Sequence, residues 1–266
     1  MEHRLLAFDI DGTLYDHRHG LDPRVVWAAR RAHRMGLKLV LATGRMFSSA
    51  LPLARLLGLK TPMICYQGAR ICRTDGTVLF DRGLKRDLAL DVARFLSSKR
   101  IHVNAYRDER ILVESDNADA ATYAAVAGLP YQVVPSFAQD LGETTPKLVG
   151  VVDPRTMPEV LAAVRAAFGD RITATTSLAN FLEIFDRDVD KARALEMVAA
   201  RLKVPRRQVV AVGDALNDVS MVAWAGLGVC VEGSPAELRE VAQMTVPSAA
   251  EAGVAVLIER LLMAET

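Results

Sequence analysis

Four short apolar runs, interrupted only by Lys38, constrain this chain most. They are LLAF (5–8), LKLVLA (37–42), the VVAV within QVVAVGD (208–214), and LGVCV (227–231). A strand that is apolar throughout has both faces out of water, whereas a half-wet sheet alternates apolar and polar residues. Helical segments separate the runs. In DPRVVWAARRAHRMG (22–36), Asp22 can cap the helix, Pro23 suits its first turn and Gly36 its end. RMFSSALPLARLLG (45–58) reads as a helix disturbed by Pro52, and PMICYQ (62–67) as a third strand. Helices are expected over 190–204, 217–226, 235–242 and 252–262. Such alternation predicts an α/β fold built on a doubly wound parallel sheet covered on both faces.

The middle of the chain follows another pattern. From about Gly83 to Glu183, helical segments at 88–100, 118–128 and 157–169 are interspersed with strands at 101–106, 110–115, 147–152, 171–177 and 180–185. Paired strands with helices between them suggest an α+β module with an antiparallel sheet. It is long enough to fold as a domain. The expected organisation is a core formed by residues 1–82 and 185–266, with residues 83–184 inserted as a cap.

Bulk properties exclude several classes. With 266 residues and 51% apolar content the chain can bury a sizeable core. A net charge of +1 gives no field to draw it to nucleic acid or to a membrane surface. The basic run at 24–36 has no aromatic platform beside it and reads as a solvated helix face. Three cysteines, Cys65, Cys72 and Cys230, form no C-x-x-C, so they read as small buried hydrophobes. The N-terminus reaches acidic residues too early for a signal peptide, and no apolar segment suits a bilayer span. The expectation is a cytoplasmic monomer or homodimer.

Polar residues fall where parallel sheets bind ligands, at the carboxyl ends of strands. Asp9 and Asp11 follow the first run, Thr43-Gly44-Arg45 the second, and Asp214 ends QVVAVGD with Asn217 and Asp218 just beyond. Lys191 lies near the start of the helix that re-enters the core. Residues two apart on a strand face the same way, so Asp9 and Asp11 can share a pocket, and Gly12 lets the backbone turn sharply. Asp214 adds a third carboxylate. Clustered acids repel unless a cation lies among them, and oxygen donors suit a hard ion such as Mg²⁺. TGR is expected to begin a helix whose amides, with the Thr43 hydroxyl, hold an anion, and Lys191 adds a point charge for it. Such a set suits phosphoryl transfer, in which one aspartate attacks phosphorus and a second handles the proton. Spacing alone does not divide those roles. Taken singly, each of these residues has a plainer reading: Asp9 and Asp11 as turn residues, Lys191 as a surface lysine, Asn217 as a helix cap.

In order, DIDGT, TGR, Lys191 and GDALND resemble the four motifs of the haloacid dehalogenase-like hydrolase superfamily. The insertion after the second motif resembles the Cof-type sugar-phosphate phosphatases, with their type IIB cap. The resemblance implies a Rossmann-like core and assigns roles. Asp9 would be the nucleophile and Asp11 the general acid/base, its backbone carbonyl also on Mg²⁺. Thr43, Gly44, Lys191 and Asn217 would bind the phosphoryl group. Asp214 would ligate Mg²⁺ beside Asp9, and Asp218 would stand behind the ligands, on Lys191 or metal-bound water. Gln67 stands where the subfamily usually has Asn, and VEGSP (231–235) replaces a usual Gly-Asn-Ala turn; both bear on substrate preference. The implied activity is Mg²⁺-dependent hydrolysis of small phosphorylated metabolites. A phosphomutase of the same superfamily, or a non-enzymatic phospho-acceptor module, is the alternative. His17 and His19 read as exposed loop residues. In the insertion, His102, Asn104, Tyr106, Arg107 and Glu183 read as polar surface.

Overall fold

The computed structural model describes residues 2–16 and 18–263, so His17 lies outside the described residues. The chain forms two compact units, Met1–Leu79 with Asp190–Thr266, and Phe80–Val189.

The first unit is built on a five-stranded sheet in the order Met244–Val246, Leu227–Val231, Val209–Gly213, Leu5–Phe8, Lys38–Leu41. All its pairs are parallel, with Leu5 beside Val209 and Lys38, and Phe8 beside Val212 and Leu41. Every residue of Leu5–Phe8 and Val209–Gly213 is buried, as uninterrupted apolar runs require. The chain leaves Leu5–Phe8 toward Lys38–Leu41 and later returns on the opposite side, at Val209–Gly213. Strand order therefore reverses between Leu5–Phe8 and Val209–Gly213, which leaves a crevice beyond their carboxyl ends. Helix Pro23–Arg34 starts where expected, with Asp22 accepting the Arg24 N–H at 2.8 Å, and packs against Gly253–Met263. Pro52 lies at an exposed position inside Phe47–Leu57 and does not end that helix.

In this unit three expectations are corrected. PMICYQ is not a full third strand of the parallel sheet. Met63–Cys65 is extended and keeps one parallel bridge, Ala42 to Ile64, but the chain then turns back into Arg70–Cys72, with Cys65 opposite Arg70. The turn runs through Tyr66, Gln67 and Gly68, with φ of 51°, 59° and 103°. TGR does not begin a helix. The helix starts at Phe47, while the Arg45 and Thr43 carbonyls accept the Tyr66 and Gln67 N–H groups and hold 43–45 as a loop. NDVSMVAWAG opens as a tight turn over Leu216–Asp218 and becomes α-helical only at Val219–Trp224. Cys65, Cys72 and Cys230 are buried and free, as expected.

The second unit carries a six-stranded sheet in the order Tyr131–Val133, Arg110–Val113, His102–Arg107, Leu148–Val151, Phe181–Asp186, Ile172–Leu178. It is antiparallel except for the pairing of Tyr131–Val133 with Arg110–Val113. Helices Arg86–Ser98 and Met157–Phe168 close one face over Leu96, Val103, Ala105, Leu148, Val164 and Ile184. On the other face the polar-surface expectation fails for four of five residues. His102, Asn104, Tyr106 and Glu183 are buried, and only Arg107 is exposed. Helix Ala118–Ala127 explains part of this, since Tyr123 meets the Tyr106 hydroxyl and sets its ring edge-on to Phe181 at 5.0 Å. Glu183 is matched by Lys147 Nζ at 2.9 Å. Among the described residues no helix is long and apolar enough to cross a membrane.

Candidate active site

Asp9 continues the central strand by one residue. Its N–H donates to the Val212 carbonyl at 3.1 Å, so its side chain emerges at the crevice. Lys191 reaches it from the first residue of helix Lys191–Arg201. Asp190 caps that helix, accepting the Ala192 and Arg193 N–H groups at 2.7 and 3.1 Å. The Lys191 ammonium is buried and donates to Asp9 Oδ1 at 2.7 Å and Asp218 Oδ1 at 2.6 Å. Burial alone would lower its pKa, but Asp218 and Asp9 outweigh burial and hold it above the ordinary lysine value.

Asp218 is fully buried and fully used. Its second oxygen accepts the Asp214 and Ala215 N–H groups at 3.1 and 3.2 Å, which closes the GDALND turn. Gly213 is required there, because a Cβ would lie 2.4 Å from that of Asp218. Asp214 accepts the Thr13 hydroxyl at 2.7 Å. Gly12, at φ 85°, passes so close that a Cβ would fall 2.2 Å from Asp214 Oδ2.

Asp9, Asp214 and Asp218 each offer an oxygen within 4.8 Å of the others. Burial, then the neighbouring acids, push Asp9 well above the usual carboxylate range despite the Lys191 charge. Burial and Asp218 raise Asp214 to about 7. Three carboxylates face one ammonium, and the acid excess is concentrated on Asp9 and Asp214. That donor set fits a hard divalent cation. Because both Asp218 oxygens are committed, Asp9 and Asp214 are the carboxylates suited to hold it, with Asp218 orienting Lys191 and the turn.

The other sequence-selected residues surround this cluster. Asp11 turns its carboxylate to Arg45, whose Nε donates to Oδ2 at 2.7 Å and whose terminal amine donates to Oδ1 at 2.5 Å. Arg45 also lies over the Tyr15 ring, 5.5 Å from its centroid. Asp11 therefore acts on Asp9 through charge rather than by joining the trio. The buried Thr43 hydroxyl accepts the Arg45 N–H at 3.1 Å. Gly44 packs on Gln67, where a Cβ would meet Nε2 at 2.5 Å. Asn217 donates to Gln67 Oε1 at 3.0 Å. At the end of strand Leu227–Val231, Ser234 closes the VEGSP turn on the Val231 carbonyl at 2.7 Å. His19, in the loop past the first strand, pairs with Asp16 at 2.7 Å. Sequence reasoning placed Arg45 at the rim without giving it a role and did not single out Thr13, although both lie within the DIDGT and TGR motifs.

A family model described as haloacid dehalogenase-like hydrolase matches residues 6–258. The chain belongs to that family. Phosphatase YwpJ of Bacillus subtilis is 27% identical over 285 residues, covering 97% of this chain and 100% of that protein. HMP-PP phosphatase of Cronobacter sakazakii is 27% identical over 225 residues, covering 85% and 82%. A haloacid dehalogenase-like hydrolase from Bacteroides thetaiotaomicron shares the fold, with a TM-score of 0.88 at 24% identity over 97% and 99% of the two chains. As a member of that family the chain is a hydrolase, and its parallel sheet is the Rossmann-like α/β core.

Proposed function

We propose that the protein is a Mg²⁺-dependent phosphatase of small phosphorylated metabolites, sugar phosphates the expected class, working through an aspartyl-phosphate on Asp9. The observation that carries this reading is the Lys191 bridge between Asp9 and Asp218 beside Asp214, at the switch point of the parallel sheet. It supplies a carboxylate held in place for attack, a fixed positive charge beside it, and an acid pair suited to a cation. Bound at Asp9 and Asp214, with the Asp11 backbone carbonyl, Mg²⁺ would supply positive charge to a phosphoryl group.

The steps assigned to the chain's own residues are few. Asp9 attacks phosphorus and the ester oxygen leaves. Asp11 donates a proton to that oxygen, then takes one from the water that hydrolyses the aspartyl-phosphate. Both Asp11 oxygens are held by Arg45, so one of these hydrogen bonds must yield for the proton to move. Thr43, Gly44, Lys191 and Asn217 surround the transferring group. The Phe80–Val189 unit serves as the cap and selects substrate.

The test is inorganic phosphate release from a panel of phosphorylated sugars, nucleotides and cofactors, with Mg²⁺ and with chelator. Mg²⁺-dependent release that Asp9→Asn abolishes without loss of fold is expected. Full activity in Asp9→Asn would refute the nucleophile. Isomer interconversion without net release would indicate a mutase, and a long-lived phospho-aspartate without turnover a phospho-acceptor.

A further inference from the structure

The Tyr66–Gly68 turn is the most unusual stretch of backbone in the first unit. Two consecutive non-glycine residues and then a glycine adopt left-handed conformations. The Cβ atom of any non-glycine residue disfavours that region, and residues held there tend to cluster where function requires it. This turn touches the segments that carry the acid cluster's surroundings. The Tyr66 and Gln67 N–H groups donate to Arg45 and Thr43 carbonyls, both at 3.0 Å. Gly68 sits against the Asp190 carbonyl, where a Cβ would come within 2.5 Å, just before Lys191. The Gln67 side chain, almost fully buried, lies against Gly44 and accepts Asn217 Nδ2 at 3.0 Å.

We propose that Gln67 is a positioning residue for phosphoryl transfer, acting through Asn217. An amide nitrogen carries two protons. One is spent on Gln67, so the plane of the Asn217 amide is set, and its second N–H and its oxygen point in defined directions beside Asp218. The Asn217 oxygen is buried and has no hydrogen-bond partner among the described residues. A freely turning amide would leave that atom in solvent or reverse it. If the turn needed only its shape, glycine or asparagine would adopt φ of 59° more readily than glutamine. The glutamine side chain is instead used as a strut from the 43–45 loop to the GDALND turn. The proposal rests on the phosphatase reading, since the step Asn217 serves belongs to that reaction.

The test compares wild type, Gln67→Met (similar size, no amide), Gln67→Asn (amide kept, one methylene short), Asn217→Ala, and the double variant Gln67→Met/Asn217→Ala. Activity is measured with para-nitrophenyl phosphate and saturating Mg²⁺, and folding by thermal unfolding. Gln67→Met and Gln67→Asn should each lower kcat about 10-fold with KM little changed, the size usual for residues that orient a reacting group's neighbours. The double variant should be no slower than Asn217→Ala alone. Wild-type kcat in both Gln67 variants, or losses that multiply in the double variant, would overturn the proposal. The bridge is also read without turnover. The side-chain NH2 resonances lost in Asn217→Ala should shift in Gln67→Met, and unmoved resonances would overturn it even if no phosphate release were detected. Absent turnover in wild type with shifted resonances would count against the phosphatase reading and leave the strut standing.

Discussion

Replacing Asp214 by asparagine removes one ionisable group from the acid cluster while nearly preserving its shape. The asparagine oxygen can still accept the Thr13 hydroxyl, which Asp214 does at 2.7 Å. In the folded protein burial and Asp218 raise Asp214 from 3.8 to about 7. An acid with a raised pKa is held protonated more tightly by the folded state than by the unfolded chain. Its contribution is favourable below about pH 4 relative to higher pH, and is lost as pH rises through about 7. At pH 8 both states are ionised, and the folded one carries the full cost. A shift of about 3 units corresponds to about 4 kcal/mol. Asp214 is only partly buried, which reduces this to about 2 kcal/mol. In chelator at about pH 8, Asp214→Asn should therefore melt roughly 4–8 °C above wild type. The gap should narrow as pH falls and close near pH 4, the ordinary carboxylate pKa. Mg²⁺ should raise the melting temperature of wild type markedly and that of the variant little, and the variant should release no phosphate. Thermal unfolding by circular dichroism, with and without Mg²⁺ across that pH range, reads all of these. A variant less stable than wild type in chelator at pH 8, or one stabilised equally by Mg²⁺, would refute the reasoning.

Two further outcomes follow from the same geometry. Lys191→Met leaves Asp9 and Asp218 buried without their shared counter-charge, and should cost about 3 kcal/mol in thermal unfolding near neutral pH; an unchanged melting temperature would show that the acids are satisfied elsewhere. Gly12→Ala combines a φ of 85° with a Cβ 2.2 Å from Asp214 Oδ2. It should lower stability by about 1 kcal/mol or more and displace Asp214, with Mg²⁺-dependent turnover falling accordingly.

What could be read from the chain beforehand follows from where the information is stored. Leu5–Phe8 and Val209–Gly213 are all apolar and all buried, so the absence of alternation places them in a sheet covered on both faces. The polar residues beyond those strands then converge because a doubly wound sheet brings its carboxyl ends to one rim, and Asp9, Lys191, Asp214 and Asp218 do meet there. Met244–Val246 and Tyr131–Val133 are three residues each, too short to carry a period. The left-handed turn at Tyr66 and Gln67 carries no signal, since neither residue favours it and tertiary contacts, those of Thr43, Arg45 and Asn217 among them, hold it there. The Arg45–Asp11 pair and the burial of Asn104 and Glu183 are likewise tertiary facts. The helix covering one face of the second sheet could be seen in the sequence, but not which face it would choose.

The acid cluster also explains why its strain stays where it is. Asp9 is tied to Val212 by a backbone hydrogen bond, and Asp214 is tied to Asp218 by its own N–H. Neither can retreat along its strand without breaking the pairing of two fully buried strands. Asp218 escapes the conflict because Lys191 and two backbone amides satisfy both its oxygens. Burial, and with it the unrelieved repulsion, therefore weighs on Asp9 and Asp214, whose carboxyls are raised above the usual range. What destabilises the metal-free fold is then the same interaction a cation would gain by relieving it, since binding to the folded state alone adds its free energy to stability. Variants that soften the repulsion at Asp9 or Asp214 should gain metal-free stability and lose Mg²⁺ affinity together. A variant such as Lys191→Met, which deepens the repulsion, should lose stability in chelator and recover more of it than wild type when Mg²⁺ is added.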